Sequence, residues 1–248
     1  MTTKLYDDKY LEILQTLFEK SKQKSYVLLN PQPNETIADI GCGIGQDAIN
    51  IAKSGAKVFG IDNDQHFIAL ANKQQIGNLK LAFICCNANE IPLTDNIIDS
   101  IRFDRILQHV ADHDKVLKEA ARLLKPGGKL IIVDADYLSV SLFLEDEKLE
   151  RKIIDAIAYN RIPNSHKIRQ LPTTLAQNNF SLVSTEIHNY IINDYEFAKS
   201  LIRFDKTVDE EFELGNISQT ENECWQRYIK RPFNLSINLM LFTAIKKI

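Results

Sequence analysis

An α/β fold built on an open, mostly parallel sheet is predicted by three stretches of this sequence. Thr36–Ile40 is a short apolar run with Asp39 near its end, and Gly41, Gly43 and Gly45 follow at every second position. Ala56–Ile61 is a second apolar run, closed by Asp62. Lys129–Asp134 is almost continuously apolar, the pattern of a parallel strand covered on both faces. Between the first two runs, Gln46–Ser54 has helical spacing with Ala48, Ile49 and Ala52 inward. Together they make a βαβ unit. Glycines serve where the backbone must take positive φ or let a ligand press against it. A helix N-terminus behind such a turn offers unpaired N–H groups, and an acid ending the next strand can accept both hydroxyls of a ribose. The unit therefore reads as a nucleoside-binding one.

Composition bounds the rest. The 248 residues suit one α/β domain with insertions, or a domain plus a lid. Charged residues make up 25% and hydrophobic ones 44%, ordinary for a soluble globular chain. A formal net charge of −3 argues against a nucleic-acid partner, which usually leaves a basic stripe. No apolar run reaches a membrane span, and no signal-peptide core stands at the start. Cys42 sits in the glycine turn, Cys85 and Cys86 end a strand, and Cys224 is remote, so reduced thiols and a cytoplasmic location are expected.

In chain order, residues 4 to 29 are helical in pattern, with Leu11, Leu14, Phe18, Val27 and Leu28 as an apolar stripe stopped by Pro31. Asp64 caps a helix reaching about Gln75, with Phe67, Ile68 and Ala71 inward. Asn78–Cys86 is a third strand and Ser100–Phe103 a fourth. Asp112 or Asp114 starts a helix to Leu124, buried through Val116, Leu117, Ala120 and Leu124 and stopped by Pro126, Gly127 and Gly128. After Asp136, residues 138 to 162 read as helical, with 145–152 a solvated charged face. Lys167–Asn178 is a further helix, and Ser181–Ile192 and Ser236–Ile245 are strands. Between them, 193–234 holds one helix through Phe197, Leu201, Phe204 and Val208 and another around Trp225, either of whose aromatics lines a pocket or belongs to the core.

The glycines depart from the dinucleotide pattern G-x-G-x-x-G, because the third comes one residue early and Gln46 fills its slot. The run Asp39–Gly45, with the strand ending at Asp62, resembles the first two motifs of class I S-adenosylmethionine-dependent methyltransferases. Asn87–Leu93 resembles their adenine-side motif, Asp99–Val110 their fourth strand and loop, and Leu123–Gly128 their turn into strand five. The resemblance covers roughly residues 36 to 135. It implies a Rossmann-like fold whose seven-stranded, mostly parallel sheet carries helices on both faces and an antiparallel edge hairpin. It also implies an N-terminal helical cap (1–34), a cofactor core (35–136) and a remainder (137–248) with lid-like insertions at 137–165 and 193–234.

The cofactor implied is S-adenosylmethionine, held by Asp39, Gly41, Cys42, Gly43, Gly45, Asp62, Asn63, Asn87, Ala88, Asn89 and Arg105. The family commonly has aspartate where Asn87 stands; an amide carbonyl still accepts the adenine amino proton. Arg105 faces the methionine carboxylate or an acidic substrate, or else pairs with Asp104 or Asp136. His109 is the candidate general base, the competing reading being a helix cap. Tyr10, Gln108, Asp136 and Tyr137 are candidate acceptor contacts, against packed aromatics at Tyr10 and Tyr137 and a capping role for Asp136. His109 and His113 lack the H-E-x-x-H pattern, so no metal is expected. The motifs of planar-nitrogen and cytosine carbon-5 methylation are absent after the fourth strand, which points to a small-molecule acceptor methylated by in-line displacement. The chain is expected to act as a monomer or homodimer. A methyltransferase-fold protein that binds the cofactor without transfer, as subunit or sensor, is the alternative.

Overall fold

The structure, a computed structural model, describes residues 17–74, 77–110, 112–162 and 164–248. Its centre is one seven-stranded sheet in the order β3-β2-β1-β4-β5-β7-β6. The strands are β1 (Thr36–Ile40), β2 (Lys57–Asp62), β3 (Leu81–Cys85), β4 (Ile98–Asp104), β5 (Leu124–Ser141), β6 (Phe180–Ile192) and β7 (Leu235–Lys246). The first five run parallel, and β7 inserts antiparallel between β5 and β6. The order reverses between β1 and β4, so the crevice beyond their carboxyl ends is the natural ligand site.

Strand alternation assigns the layers. On β1 and β4, Ala38, Ile40, Ile101 and Phe103 face α4 (His113–Leu123) and α6 (Leu171–Gln177), sharing a core with Val116, Leu117 and Leu175. The opposite face carries α1 (Glu19–Leu29) and α2 (Gln46–Ala52), where Leu29, Ile37, Ala48 and Ile131 pack together. Helix α3 (Gln65–Gln74) follows β2, and Asp64 accepts from the His66 and Phe67 N–H groups as its cap. Asp112 caps α4 through Lys115 N–H.

Beyond β5, a third core joins that strand and β7 to α5 (Glu147–Asp155), α7 (Tyr195–Ile202), α8 (Phe204–Glu213) and α9 (Gln219–Tyr228). Phe204 and Trp225 are wholly buried there, with ring centroids 5.4 Å apart. They are core, and neither lines the site.

Three sequence expectations need correction. Residues 138–141 continue β5 and are not helical, because Asp136 pairs with Asn238 and Ser141 with Ser236 of β7. The segment read as one helix through Phe197–Val208 breaks at Arg203, which takes a left-handed φ of 52° and separates α7 from α8. Val27, expected in an apolar stripe, is 70% exposed, and Leu29 fills the core in its place. Leu11, Leu14 and Tyr10 lie outside the described residues.

Candidate functional site

The glycine turn is built from β1 into α2. Gly41, Gly43 and Gly45 all have positive φ, at 78°, 53° and 85°. Gly41 N–H and Cys42 N–H both donate to the Ile61 carbonyl, tying the turn to β2. A Cβ on Gly41 would stand 1.9 Å from Ile106 Cδ1, and one on Gly45 would stand 2.5 Å from the Phe83 ring. The first glycine keeps the crevice floor flat and the third admits β3, a packing role. At the end of β2, Asp62 accepts from Gly43 N–H (2.8 Å) and Asp64 N–H (2.9 Å), one bond to each carboxylate oxygen. Each oxygen keeps a further acceptor site. Burial raises the pKa of this carboxyl.

Two cavities meet over this turn. One, of about 290 Å³, runs from Gly41–Ile44 and Asp62 past Arg105 to Phe18, Tyr137 and Leu201. The other, of about 440 Å³, lies between Ile40, Ile61 and the Cys86–Asn89 loop. Gly41, Asp62, Asn63, Ile106 and His109 line both. A bent ligand spanning the crevice would cross Asp62.

Beneath the first cavity lies a buried ionic cluster. Arg102 pairs with Asp39 (2.9 Å), its register partner on β1, and with Asp104 (2.5 Å) and Asp47 (3.2 Å). Its Nε donates to Ser25 of α1. Lys22 of α1 reaches Asp47 at 3.0 Å, and Tyr26 donates to the same carboxylate. Arg105 closes the set on Asp104 at 2.8 Å. Burial, with one guanidinium shared among three carboxylates, pushes the Asp39 carboxyl up to about 6. Asp104 is desolvated too, but its two arginine partners outweigh that and hold it well below the usual carboxylate range. The α1 helix is thereby clamped to the turn.

The 3₁₀ turn Leu107–His109 leaves β4 toward the crevice. Asp134, wholly buried within β5, accepts from Gln108 N–H (3.0 Å) and Ala135 N–H (3.0 Å). Desolvation raises its carboxyl to about 7 despite those bonds. Gln108 Nε2 lies 2.8 Å from His109 Nε2. The His109 ring is open to the crevice, yet protein surrounds its other sides. That desolvation, with the Arg105 charge, lowers its pKa. That shift favours the neutral imidazole. His113 points elsewhere, at the Leu107 carbonyl (2.7 Å). Among the described residues, no group of three or more His, Cys, Asp or Glu side chains is placed to hold a metal.

Residues 38–132 match the family model described as a methyltransferase domain, and they contain the last three residues of β1, the glycine turn, Asp62, the Asn87 loop and strands β2 to β4. Over this stretch the chain is similar to S-adenosylmethionine-dependent methyltransferases of class I. It is 27% identical to a 37.1 kDa protein of transposon Tn4556 from Streptomyces fradiae, over 95% of this chain and 70% of that one. It is 29% identical to the demethylmenaquinone methyltransferase of Bacillus licheniformis, over 47% of this chain. The match spans only 51% of that relative. The YcgJ protein of Bacillus subtilis shares the fold at a TM-score of 0.69 and 18% identity, covering 93% of this chain and 99% of that one.

The methyltransferase cofactor fits the residues present. Asp62 stands where both cavities meet, with acceptor capacity left on each oxygen. Asn87, Ala88 and Asn89 line the second cavity, and Gly41 leaves its floor open. Among the sequence-predicted residues, Gly41, Cys42, Gly43, Asp62, Asn63, Arg105, Gln108, His109 and Tyr137 line the first cavity. Three do not sit on a cavity wall. Asp39 turns to Arg102, Gly45 packs on Phe83, and Asp136 turns away to bind Arg169 at 2.9 Å. Alternation along β5 explains the last, since neighbouring Tyr137 takes the cavity side.

Sequence reasoning missed Arg102, Asp47 and Lys22. An arginine inside an otherwise apolar central strand was the available signal, because a buried guanidinium demands carboxylates. Phe18, Phe67, Leu201 and Ile237 also reach the cavity, from α1, α3, α7 and β7. Their separation along the chain hid them.

Proposed function

We propose that the protein transfers a methyl group from S-adenosylmethionine to a small-molecule acceptor. The observation that carries this reading is the pair of cavities joined at Asp62, one fitted to a nucleoside and the other continuing into an apolar chamber. S-adenosylmethionine, when bound, supplies a sulfonium-borne methyl group to an in-line nucleophile.

The chain's own residues hold and orient. Asp62 accepts the ribose hydroxyls, while the Asn87 carbonyl and Ala88 N–H meet the adenine. The glycine turn and Arg105 face the amino-acid end, with Arg105 kept in place by Asp104. Alignment of this kind supplies several kcal/mol of a displacement barrier without an oxyanion hole. His109, neutral in the crevice, is suited to accept a hydrogen bond from an acceptor or to relay its proton weakly. The formal net charge of −3 supports an acceptor other than nucleic acid, and the free cysteines among the described residues support a cytoplasmic location.

The test is binding of S-adenosylhomocysteine by calorimetry, followed by transfer of labelled methyl to an acceptor panel. Binding with turnover is the expected result. Binding with no product from any acceptor favours the subunit or sensor reading, and no binding removes both.

A further inference from the structure

We propose that the acceptor is an electrically neutral, apolar, ring-sized molecule. The inference rests on the methyltransferase reading of the same site. Away from the glycine turn in sequence, the first cavity is also lined by Phe18, Ala135, Tyr137, Leu201 and Ile237. These come from α1, β5, α7 and β7, and all five side chains are nearly buried. Such a wall gains from removing apolar acceptor surface from water. It offers a charged group no compensation for lost hydration.

The charge balance beneath the cavity points the same way. The cations that reach it are Lys22, Arg102 and Arg105, and each is engaged with a carboxylate. Asp39, Asp47 and Asp104 take up those cations, while Asp62 and Asp64, the other carboxylates on this cavity, accept backbone N–H groups of the turn and of the α3 cap. An anionic acceptor would have to share Arg105 or Lys22 with a carboxylate held at 2.8 or 3.0 Å, and Arg105 already faces the amino-acid end of the cofactor. A cationic acceptor would compete with Arg102 for carboxylates it already holds. Asp62 is engaged by Gly43 and Asp64 and faces the nucleoside half. The Arg105 guanidinium lies 5.6 Å from the Phe18 ring centroid, capping the chamber's polar edge with a filled cation–π contact. A neutral acceptor leaves this network intact, and its one polar atom then meets Gln108 and His109.

The experiment measures three ligands of one ring size and different charge against the full chain saturated with S-adenosylhomocysteine. They are 2-naphthol (neutral), 2-naphthoate (anionic) and 2-naphthylmethylammonium (cationic), each titrated calorimetrically at pH 7.5. The naphthol is expected to bind at least tenfold more tightly than either ion. Leu201→Asp should weaken naphthol at least tenfold while leaving S-adenosylhomocysteine affinity within twofold. Leu201→Ala should weaken it a few-fold and serves if the aspartate variant fails to fold. Equal or tighter binding of either ion, or no binding of naphthol to a protein that does bind S-adenosylhomocysteine, overturns the inference. Failure to bind S-adenosylhomocysteine would remove the methyltransferase reading and this one with it.

Discussion

At the scale of single residues, the site separates groups that meet ligand from groups that hold those groups still. Asp62 belongs to the first set. Asp62→Ala is expected to lower S-adenosylhomocysteine affinity by roughly 2–4 kcal/mol, the loss of two charge-assisted hydrogen bonds, read by calorimetry. Unchanged affinity would remove Asp62 from the ribose site. Arg102 belongs to the second set. It is wholly buried, and Arg102→Met strands Asp39, Asp47 and Asp104 without their shared cation. A loss of about 3–5 kcal/mol in denaturant unfolding is expected. Asp134 gives a prediction with a definite sign. Burial raises its folded pKa to about 7, so the folded chain keeps a proton that the unfolded chain releases in the ordinary carboxylate range. The stabilising contribution is complete below that range and disappears as pH climbs through about 7. Asp39, raised to about 6, adds to the same slope. Asp134→Asn stays neutral at every pH, so its melting temperature should decline less between pH 5 and 8 than that of the wild type. An identical decline would show that the carboxyl ionises freely in the fold.

At the scale of elements, what was legible in the sequence was whatever depends on local pattern. Strand β1 was read to the residue, and β6 and β7 to within one, because alternating or continuous apolar runs between turn residues leave little choice of register. Asp62 and the Asn87 loop were legible because a βαβ unit places strand ends at the crevice whatever the rest of the chain does. The path of residues 138–141 was not legible. It is decided by pairing with β7, about a hundred residues away, and no local preference records that partner. Helix α1 was read as a helix, but its buried face hid for a related reason. Its buried side includes Ser21, Lys22 and Ser25, polar residues that a hydrophobic stripe search places outside. Their partners are Tyr190 and His188 on β6, Asp47 on α2 and Arg102 on β4. A helix held this way should respond to loss of one ion. Lys22→Met removes the cation matched to Asp47 and is expected to loosen α1 before the sheet. Hydrogen exchange would show that as faster exchange confined to residues 19–29, and uniform protection would count against the clamp.

At the scale of the whole molecule, ligand and fold are coupled, because the cavities exist only when several distant elements are assembled. The first draws walls from α1, α3, α7, β4, β5 and β7, and the second from β1, β2 and the segments after β3 and β4. Unfolding disperses every one of these, so a ligand of the crevice binds the folded chain and not the unfolded one. Mass action then fixes the response: at a hundred times its dissociation constant, such a ligand stabilises by about 2.7 kcal/mol. For a chain of this size each kcal/mol moves the melting temperature by about 2–4 °C, so a rise of roughly 5–10 °C is expected with S-adenosylhomocysteine. NAD should give none. Its pyrophosphate needs the N–H cradle of G-x-G-x-x-G, whereas here Gly43 N–H is directed at Asp62 and Gly45 is closed in by Phe83. Combining the cofactor product with Asp62→Ala locates the effect. The variant's own melting point should fall as well, since Gly43 and Asp64 N–H lose their acceptor, while most of the ligand-induced rise disappears with the two bonds to the ligand. A full rise retained in the variant would place the nucleoside somewhere other than the junction of the two cavities.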